Sequence, residues 1–94
     1  MKVVGRQLIE DFCKGHPDAS GRMNAWVLEA ERSEWRTPND IKGRYASASF
    51  LADNRVVFNI GGNRFRVLTK VNYQLQIVLI ERVGTHDEYD SWNL

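Results

Sequence analysis

The order of residue patterns along this chain constrains its fold more than any other feature. The first half carries apolar side chains at helical spacing, whereas from residue 55 onward the chain consists of β-branched and aromatic runs separated by turn sequences. Helices therefore come first and strands follow, which is typical of an α+β protein with its N-terminal helices on one face of an antiparallel sheet. We expect the opposite face of that sheet to be free for a ligand.

The chain is predicted to begin with a short strand over residues 1–5, followed by a helix. Four apolar side chains of this helix recur at helical spacing: Leu8, Ile9, Phe12 and Cys13. The helix should stop at His16-Pro17, because proline disfavours the helical conformation of the residue before it.

Two more helices are expected before the strands. Asp18 is the predicted N-cap of the first of them. Its apolar side consists of Met23, Trp26, Val27 and Ala30. Thr37, as N-cap ahead of Pro38, begins the next helix, which must be short because Gly43 follows soon.

Three strands are predicted in the second half, over residues 55–60, 63–71 and 76–83. Gly61-Gly62 supplies the positive φ angles of a tight hairpin turn between the first two. The last strand is nearly all apolar, so we expect it to be central and buried on both faces. Thr85 and Glu88 then form a capping-box pattern, which predicts a terminal helix ending near Trp92.

The length and composition indicate one globular domain over residues 1–94. No apolar run approaches the roughly 20 residues of a membrane-spanning helix, and the N-terminus lacks the pattern of a secretory signal. A single cysteine, Cys13, excludes an internal disulfide and fits a reducing compartment. We therefore expect a cytoplasmic protein without membrane contact.

The formal net charge of +1 conceals an uneven distribution. Residues 1–31 carry four basic and five acidic side chains, a net of −1. Residues 32–70 carry eight basic and three acidic side chains, a net of +5, and residues 71–94 one basic and four acidic, a net of −3. The middle segment is therefore the candidate for contact with nucleic acid, although a solvated charged surface would look the same.

Cations recur with period two in the second strand of the hairpin. Arg64, Arg66 and Lys70 should share one face, opposite the apolar side chains that form the core. Such a row can follow a phosphate backbone, and Arg82 of the last strand joins it if the register allows. The alternative is an ordinary solvated strand face.

His86 is the sharper candidate for chemistry. With Thr85 as N-cap, it would lie in the first helical turn, where free backbone N–H groups favour an anion. Its imidazole suits general acid or base catalysis near neutral pH, and Tyr89, three residues on, shares its helix face. The alternative is a surface histidine beside Asp87 and Glu88.

Other kinds of site have weaker support in the sequence. Cys13 and His16 are two ligands where a zinc site needs four. Gly61-Gly62 lacks the lysine of a phosphate loop, and the carboxylates near the C-terminus are too few for a metal-dependent nuclease. We therefore expect neither a metal site nor a cofactor.

Residues 55–63 (RVVFNIGGN), 65–68 (FRVL) and 85–90 (THDEYD) resemble the HigB branch of the RelE-type toxins. The resemblance spans nearly all of residues 37–90, and the THDEYD segment is its most specific part. It implies a compact fold with a small curved antiparallel sheet and an endoribonuclease that cleaves mRNA, either free or on the ribosome. It also implies a HigA-like antitoxin with a helix-turn-helix domain, through which alone the complex reaches operator DNA.

The resemblance also suggests the catalytic residues. In the superfamily, a strand arginine acts together with an arginine or histidine and a tyrosine near the C-terminus. Here these correspond to Arg66, His86 and Tyr89, to which we add the neighbouring Arg64. The relatives use several lysines around the site, whereas this chain offers Lys42 and Lys70. The set expected to bind flanking RNA phosphates is Lys42, Arg44, Lys70 and Arg82.

These residues lead to the hypothesis that the RNA 2′-OH attacks its own phosphate without a metal ion. Arg64 and Arg66 would hold the phosphate, while His86 or Tyr89 would move the protons. Two alternatives stay open. One is a RelE-like binding module without catalysis, and the other is a topoisomerase poison of the ParE kind, which shares the fold.

Overall fold

The computed structural model describes all 94 residues, Met1–Leu94. Its elements in chain order are β1 (Lys2–Val4), α1 (Arg6–Gly15), a 3-10 turn (Pro17–Ala19), α2 (Ser20–Arg32), α3 (Pro38–Arg44), β2 (Ser49–Leu51), β3 (Arg55–Ile60), β4 (Phe65–Asn72), β5 (Ile77–Thr85) and α4 (His86–Asp90). The predicted helices, hairpin and terminal turn of helix are therefore all present. The fold is α+β, as expected. None of its helices combines the length and apolarity needed to cross a bilayer.

The five strands form one sheet in the order β1-β5-β4-β3-β2. All neighbouring pairs are antiparallel except β1 and β5, which run parallel. The sheet is therefore mixed: the predicted strands of the second half pair antiparallel, and β1 adds one parallel edge. A parallel pair needs a long connection, and the whole helical half of the chain lies between β1 and the rest of the sheet. The short strand β2 was not predicted at all.

The helices pack on one face of the sheet around a cluster of 18 buried residues. Phe58 of β3 lies at its centre and is fully buried. Its ring is 5.0 Å from that of Trp26, 5.7 Å from that of Trp35 and 5.2 Å from that of Tyr45. The predicted apolar side of α2 is buried here in full, so helical spacing in the sequence predicted this part of the core correctly.

β5 is central in the sheet, but only one of its faces is buried. Val78 and Ile80 are in the core, whereas Leu79 is 39% exposed. The expectation of burial on both faces is therefore wrong. An irregularity in the pairing of β4 and β5 sets Arg82 opposite Leu68, and cross-strand partners share a face. Arg82 thus lies on the same face as Arg66.

That second face of the sheet is only partly open. After β5 the chain turns back through α4, and Trp92 comes to lie over the sheet. A Cβ on Gly84 would be 2.7 Å from Cζ2 of Trp92, and the guanidinium carbon of Arg82 is 4.8 Å from the centre of the Trp92 ring. The C-terminal segment therefore covers the region around Gly84, where we had expected a free face.

The ends of the helices follow the predictions except at Asp18. α1 ends at Gly15, just before His16-Pro17. The hairpin also follows its prediction, because Gly61 and Gly62 have positive φ angles of 65° and 69°. Asp18, however, does not cap α2, which begins at Ser20. Its carboxylate instead forms an ion pair with Arg64. No local sequence pattern predicts such a long-range contact.

Replacing Phe58 by alanine should lower the free energy of unfolding by about 3–5 kcal/mol, because the change removes the ring at the centre of the aromatic cluster. Urea unfolding measures the loss. Leu28→Ala is the matched control, since Leu28 is half exposed and its loss should cost well under about 1 kcal/mol. Equal losses in the two variants would contradict this description of the core.

The capping box of α4 should make a pH-dependent contribution to the free energy of unfolding. Glu88 accepts from the N–H of Thr85 at 2.9 Å, and Thr85 Oγ1 accepts from the N–H of Glu88 at 3.1 Å. The first of these bonds lowers the pKa of Glu88 below its ordinary value of 4.5. A carboxyl with a lowered folded-state pKa stabilises the fold above its unfolded-state pKa, and this contribution is lost as the pH falls through the folded value.

Glu88→Gln keeps the shape of the cap and removes its charge. We expect it to reduce stability at pH 7 by roughly 0.5 kcal/mol, the size usual for an exposed charge at a helix start. The difference from the parent should shrink below about pH 4. Urea unfolding at several pH values measures it, and a difference that grows in acid would have the wrong sign.

Candidate active site

Arg66 is the most unusual charged residue of the structure, because only 6% of its surface is exposed. Nη1 donates to the carbonyl of Asn63 at 2.9 Å and to that of Phe65 at 3.1 Å. Nη2 donates to Nδ1 of His86 at 2.9 Å. The end of the β3–β4 hairpin and the start of α4 therefore hold the guanidinium together.

No carboxylate neutralises Arg66. The five ion pairs of the protein involve Arg6, Lys14, Arg36, Arg44 and Arg64, whose side chains are 54% or more exposed. A buried charge without a counter-charge is costly. A guanidinium has five N–H donors, and the three bonds above leave two free. Arg66 therefore keeps an unneutralised positive charge and two unused N–H donors, a combination that suits an anion.

The contact between Arg66 and His86 determines the proton on the imidazole. A guanidinium only donates, so Nδ1 of His86 must accept. The proton of the neutral ring then resides on Nε2. His86 is exposed, and with this contact in place it offers an N–H donor to the solvent side.

Tyr89 completes this group. Its ring centre is 5.3 Å from the guanidinium carbon of Arg66, and the ring of Trp92 meets it edge-on at 5.4 Å. The structure thus brings together Arg66, His86 and Tyr89, three of the four residues expected to be catalytic.

Arg64 is placed differently from the other three. It precedes β4 rather than belonging to it, it is exposed, and its guanidinium pairs with the carboxylate of Asp18. The expected row of cations is therefore wrong for Arg64, which lies just before the strand and pairs with Asp18, whereas Arg66 and Lys70 do share one face. The backbone of Arg64 still contributes, since its carbonyl accepts from the N–H of His86 at 2.9 Å.

An open cleft of about 500 Å³ lies in front of His86. Its walls come from both halves of the chain: His16, Asp18, Asn63, Arg64, Phe65, Thr85, His86 and Asp87. In the sequence, His16 stands out only as the residue before Pro17 and as one of two ligands, too few for a zinc site. It reaches the cleft through the packing of α1 against the hairpin, so no local pattern could have placed it beside His86.

Three of the four amides at the start of α4 are not free for an anion, contrary to expectation. The N–H groups of Thr85, His86 and Glu88 bind the Glu88 carboxylate, the Arg64 carbonyl and the Thr85 hydroxyl, respectively. Side chains rather than this short helix must therefore provide the positive charge for a bound phosphate.

The cations expected to bind flanking phosphates fall into two groups. Lys70 and Arg82 lie on the same sheet face as Arg66. Lys42 and Arg44 are on α3, where Lys42 donates to the carbonyl of Ala48 at 3.2 Å and Arg44 pairs with Glu29 at 2.8 Å. Arg44 is therefore already neutralised, whereas Lys70 forms no ion pair.

One group of side chains has ligand-like spacing for a cation. His86, Asp87 and Asp90 are all exposed, and one potential ligand atom of each lies within 4.8 Å of the others. Cys13 and His16, which are too few for a zinc site, are not part of such a group.

The chain matches the model of the HigB toxin family, described as the RelE-like toxic component of a toxin-antitoxin system, over residues 19–92. It is 27% identical over 92 residues to the mRNA interferase toxin HigB of Escherichia coli (strain K12), which covers 96% of this chain and 88% of the relative. The mRNA interferase HigB of Shigella flexneri matches to the same extent. The mRNA interferase HigB of Escherichia coli O6:H1 is 19% identical over 93 residues, which covers 97% of this chain and 90% of the relative.

The matched region includes Arg66, His86 and Tyr89, together with the hairpin and α4 that position them. The resemblance inferred from the sequence is therefore confirmed. This chain belongs to the HigB family of RelE-like toxins, the toxic components of toxin-antitoxin systems.

Proposed function

We propose that this toxin is an mRNA interferase, an endoribonuclease that cleaves mRNA without a metal ion. One observation carries the proposal: the buried guanidinium of Arg66 has no carboxylate partner and lies beside an imidazole and a phenol. The relatives named as mRNA interferases support the substrate class.

The two free donors of Arg66 suit the oxygens of a phosphate. As the 2′-OH attacks phosphorus, negative charge grows on these oxygens, and a preorganised cation in a partly dry site stabilises it. Arg64 at the mouth of the cleft adds a second cation when it exchanges Asp18 for the phosphate. RNA is required because DNA lacks the attacking hydroxyl.

His86 and Tyr89 are the candidates for moving protons in this reaction. With the Arg66 contact intact, His86 donates from Nε2 toward a phosphate oxygen, and it has no free lone pair to act as a base. The hydroxyl of Tyr89 supplies a proton to the departing 5′ oxygen. Such a transfer is worth about 10²–10⁴ in rate.

The flanking RNA is proposed to contact the cations around this centre. Lys70 follows Arg66 by four residues on the same strand face, a separation of roughly 13 Å. Arg82 lies on the neighbouring strand. On α3, in the segment whose net charge is +5, Lys42 is proposed to bind a further phosphate, and Arg44 must exchange Glu29 for a phosphate to do the same.

The cellular setting follows from family membership. A toxin of a toxin-antitoxin system has an antitoxin partner. We propose that this partner is a HigA-like protein with a helix-turn-helix domain, which alone contacts operator DNA. We further propose that the toxin acts in the cytoplasm, on mRNA that is being translated on ribosomes.

The test compares Arg66→Lys and His86→Gln with the parent, and Arg36→Ala serves as a control because Arg36 is an exposed arginine outside the site. Expressed without antitoxin, the parent and the control should arrest growth, and primer extension should locate new 5′ ends in mRNA. The two site variants should cleave at least about 100-fold more slowly. Circular dichroism and antitoxin capture show whether they are folded.

The purified parent should leave 2′,3′-cyclic phosphate and 5′-OH ends on ribosome-bound mRNA, and on free RNA it should do so in EDTA. Ends with a 3′-OH and a 5′-phosphate, or a requirement for magnesium on free RNA, where no ribosome needs the ion, would contradict metal independence and indicate a cation at His86, Asp87 and Asp90. Growth arrest with intact mRNA and broken DNA would support the topoisomerase poison. Growth arrest by both site variants with intact mRNA would support a binding module without catalysis.

A further inference from the structure

The proposed reaction lacks a base for the 2′-OH, and the cleft in front of His86 contains a second imidazole. His16 lies between the end of α1 and the 3-10 turn, and it lines this cleft together with His86. Its ring is half-buried, so part of it faces the cleft.

Contacts on three sides fix the position of the His16 ring. The ring stacks on that of Phe12 with centres 4.1 Å apart and planes 8° from parallel. The ring of Phe65 meets it edge-on at 6.4 Å. Nδ1 lies 3.2 Å from the carbonyl oxygen of Phe12. A fixed ring loses little rotamer freedom when it binds a substrate, which favours a catalytic group.

The contact with Phe12 also determines the proton on His16. A carbonyl oxygen only accepts, so Nδ1 of His16 must carry the hydrogen. Nε2 then has a free lone pair. His86 has the opposite arrangement, because its Nδ1 accepts from Arg66 and its Nε2 carries the proton. The same cleft therefore contains one imidazole whose Nε2 can accept a proton, that of His16, and one whose Nε2 can donate a hydrogen bond, that of His86.

We propose that His16 is the general base of the cleavage reaction, an inference that rests on the proposed function. Nε2 of His16 takes the proton of the 2′-OH while O2′ forms its bond to phosphorus. The bond from phosphorus to O5′ breaks, and O5′ takes a proton from Tyr89. The products are a 2′,3′-cyclic phosphate and a 5′-OH, and solvent returns the proton from His16 to Tyr89.

Side chains of both charges line the cleft around His16. Asp18 on the 3-10 turn and Asp87 on α4 line the same cleft, and Arg64 is the opposing cation, already paired with Asp18. Glu88 is close enough for the charge of His16 to contribute to lowering its pKa.

The test uses His16→Asn, which keeps an N–H donor for the Phe12 carbonyl and removes the basic nitrogen. Lys14→Ala on the same helix is the control, because Lys14 is 78% exposed and does not line this cleft. Cleavage is measured on RNA bound to ribosomes. We expect kcat of His16→Asn to fall by about 10²–10⁴, while its affinity for RNA with a 2′-deoxy cleavage site stays unchanged.

A second substrate distinguishes the loss of the general base from the loss of the general acid. RNA with sulfur in place of O5′ has a leaving group that needs no proton. It should restore cleavage to a variant that lacks the acid but should leave His16→Asn slow. Restoration of His16→Asn by sulfur, or cleavage at the parent rate, would overturn the assignment.

A measurement on the parent protein keeps the test independent of whether the variant folds. ¹⁵N NMR of the neutral imidazoles should show the proton of His16 on Nδ1 and that of His86 on Nε2. A proton on Nε2 of His16 would overturn the assignment. A parent that cleaves no RNA would overturn the proposed function as well, whereas an active parent with an active His16→Asn overturns only the role of His16.

Discussion

A guanidinium buried without a counter-charge is the constraint on which the C-terminal half of this toxin depends. Placing Arg66 in the interior is unfavourable unless polar groups replace its lost water. The carbonyls of Asn63 and Phe65 do so from the hairpin, and the imidazole of His86 does so from α4. The hairpin turn, whose two glycines adopt positive φ, brings the Asn63 carbonyl to the place where Arg66 needs an acceptor.

The short helix α4 must be held in place by the rest of the fold, because it carries two of the proposed catalytic residues. It carries His86 and Tyr89, yet five residues are too few for a helix to persist without tertiary support. The capping box and the packing of Trp92 against Gly84 and Arg82 supply that support. A Cβ at position 84 would lie 2.7 Å from the Trp92 ring, which also contacts the ring of Tyr89, so a larger residue there would disturb the packing that supports α4.

The cleft in front of His86 belongs to both halves of the chain. His16 and Asp18 come from the helical half, and Arg64 and His86 come from the strand half. The ion pair of Asp18 with Arg64 connects the halves at this point. A phosphate that attracts Arg64 must compete with Asp18, so substrate binding and the contact between the halves are coupled through one side chain.

The sequence alone determined the features that depend on neighbouring residues. Helical spacing identified the core side of α2, two glycines identified the hairpin, and the pattern of Thr85 and Glu88 identified the start of α4. The family resemblance identified Arg66, His86 and Tyr89 as a group, and the structure brings these three together.

Only the tertiary structure decided which distant segments meet. In the folded protein, β1 pairs parallel with β5, and the three-residue strand β2 joins the sheet. One face of β5 is exposed, and Arg64 forms an ion pair with Asp18. It also brought His16 into the cleft of His86, although 70 residues separate them in sequence. Local patterns report the conformation of a segment, whereas the pairing of segments is determined by how their buried faces fit together, which no window of neighbouring residues contains.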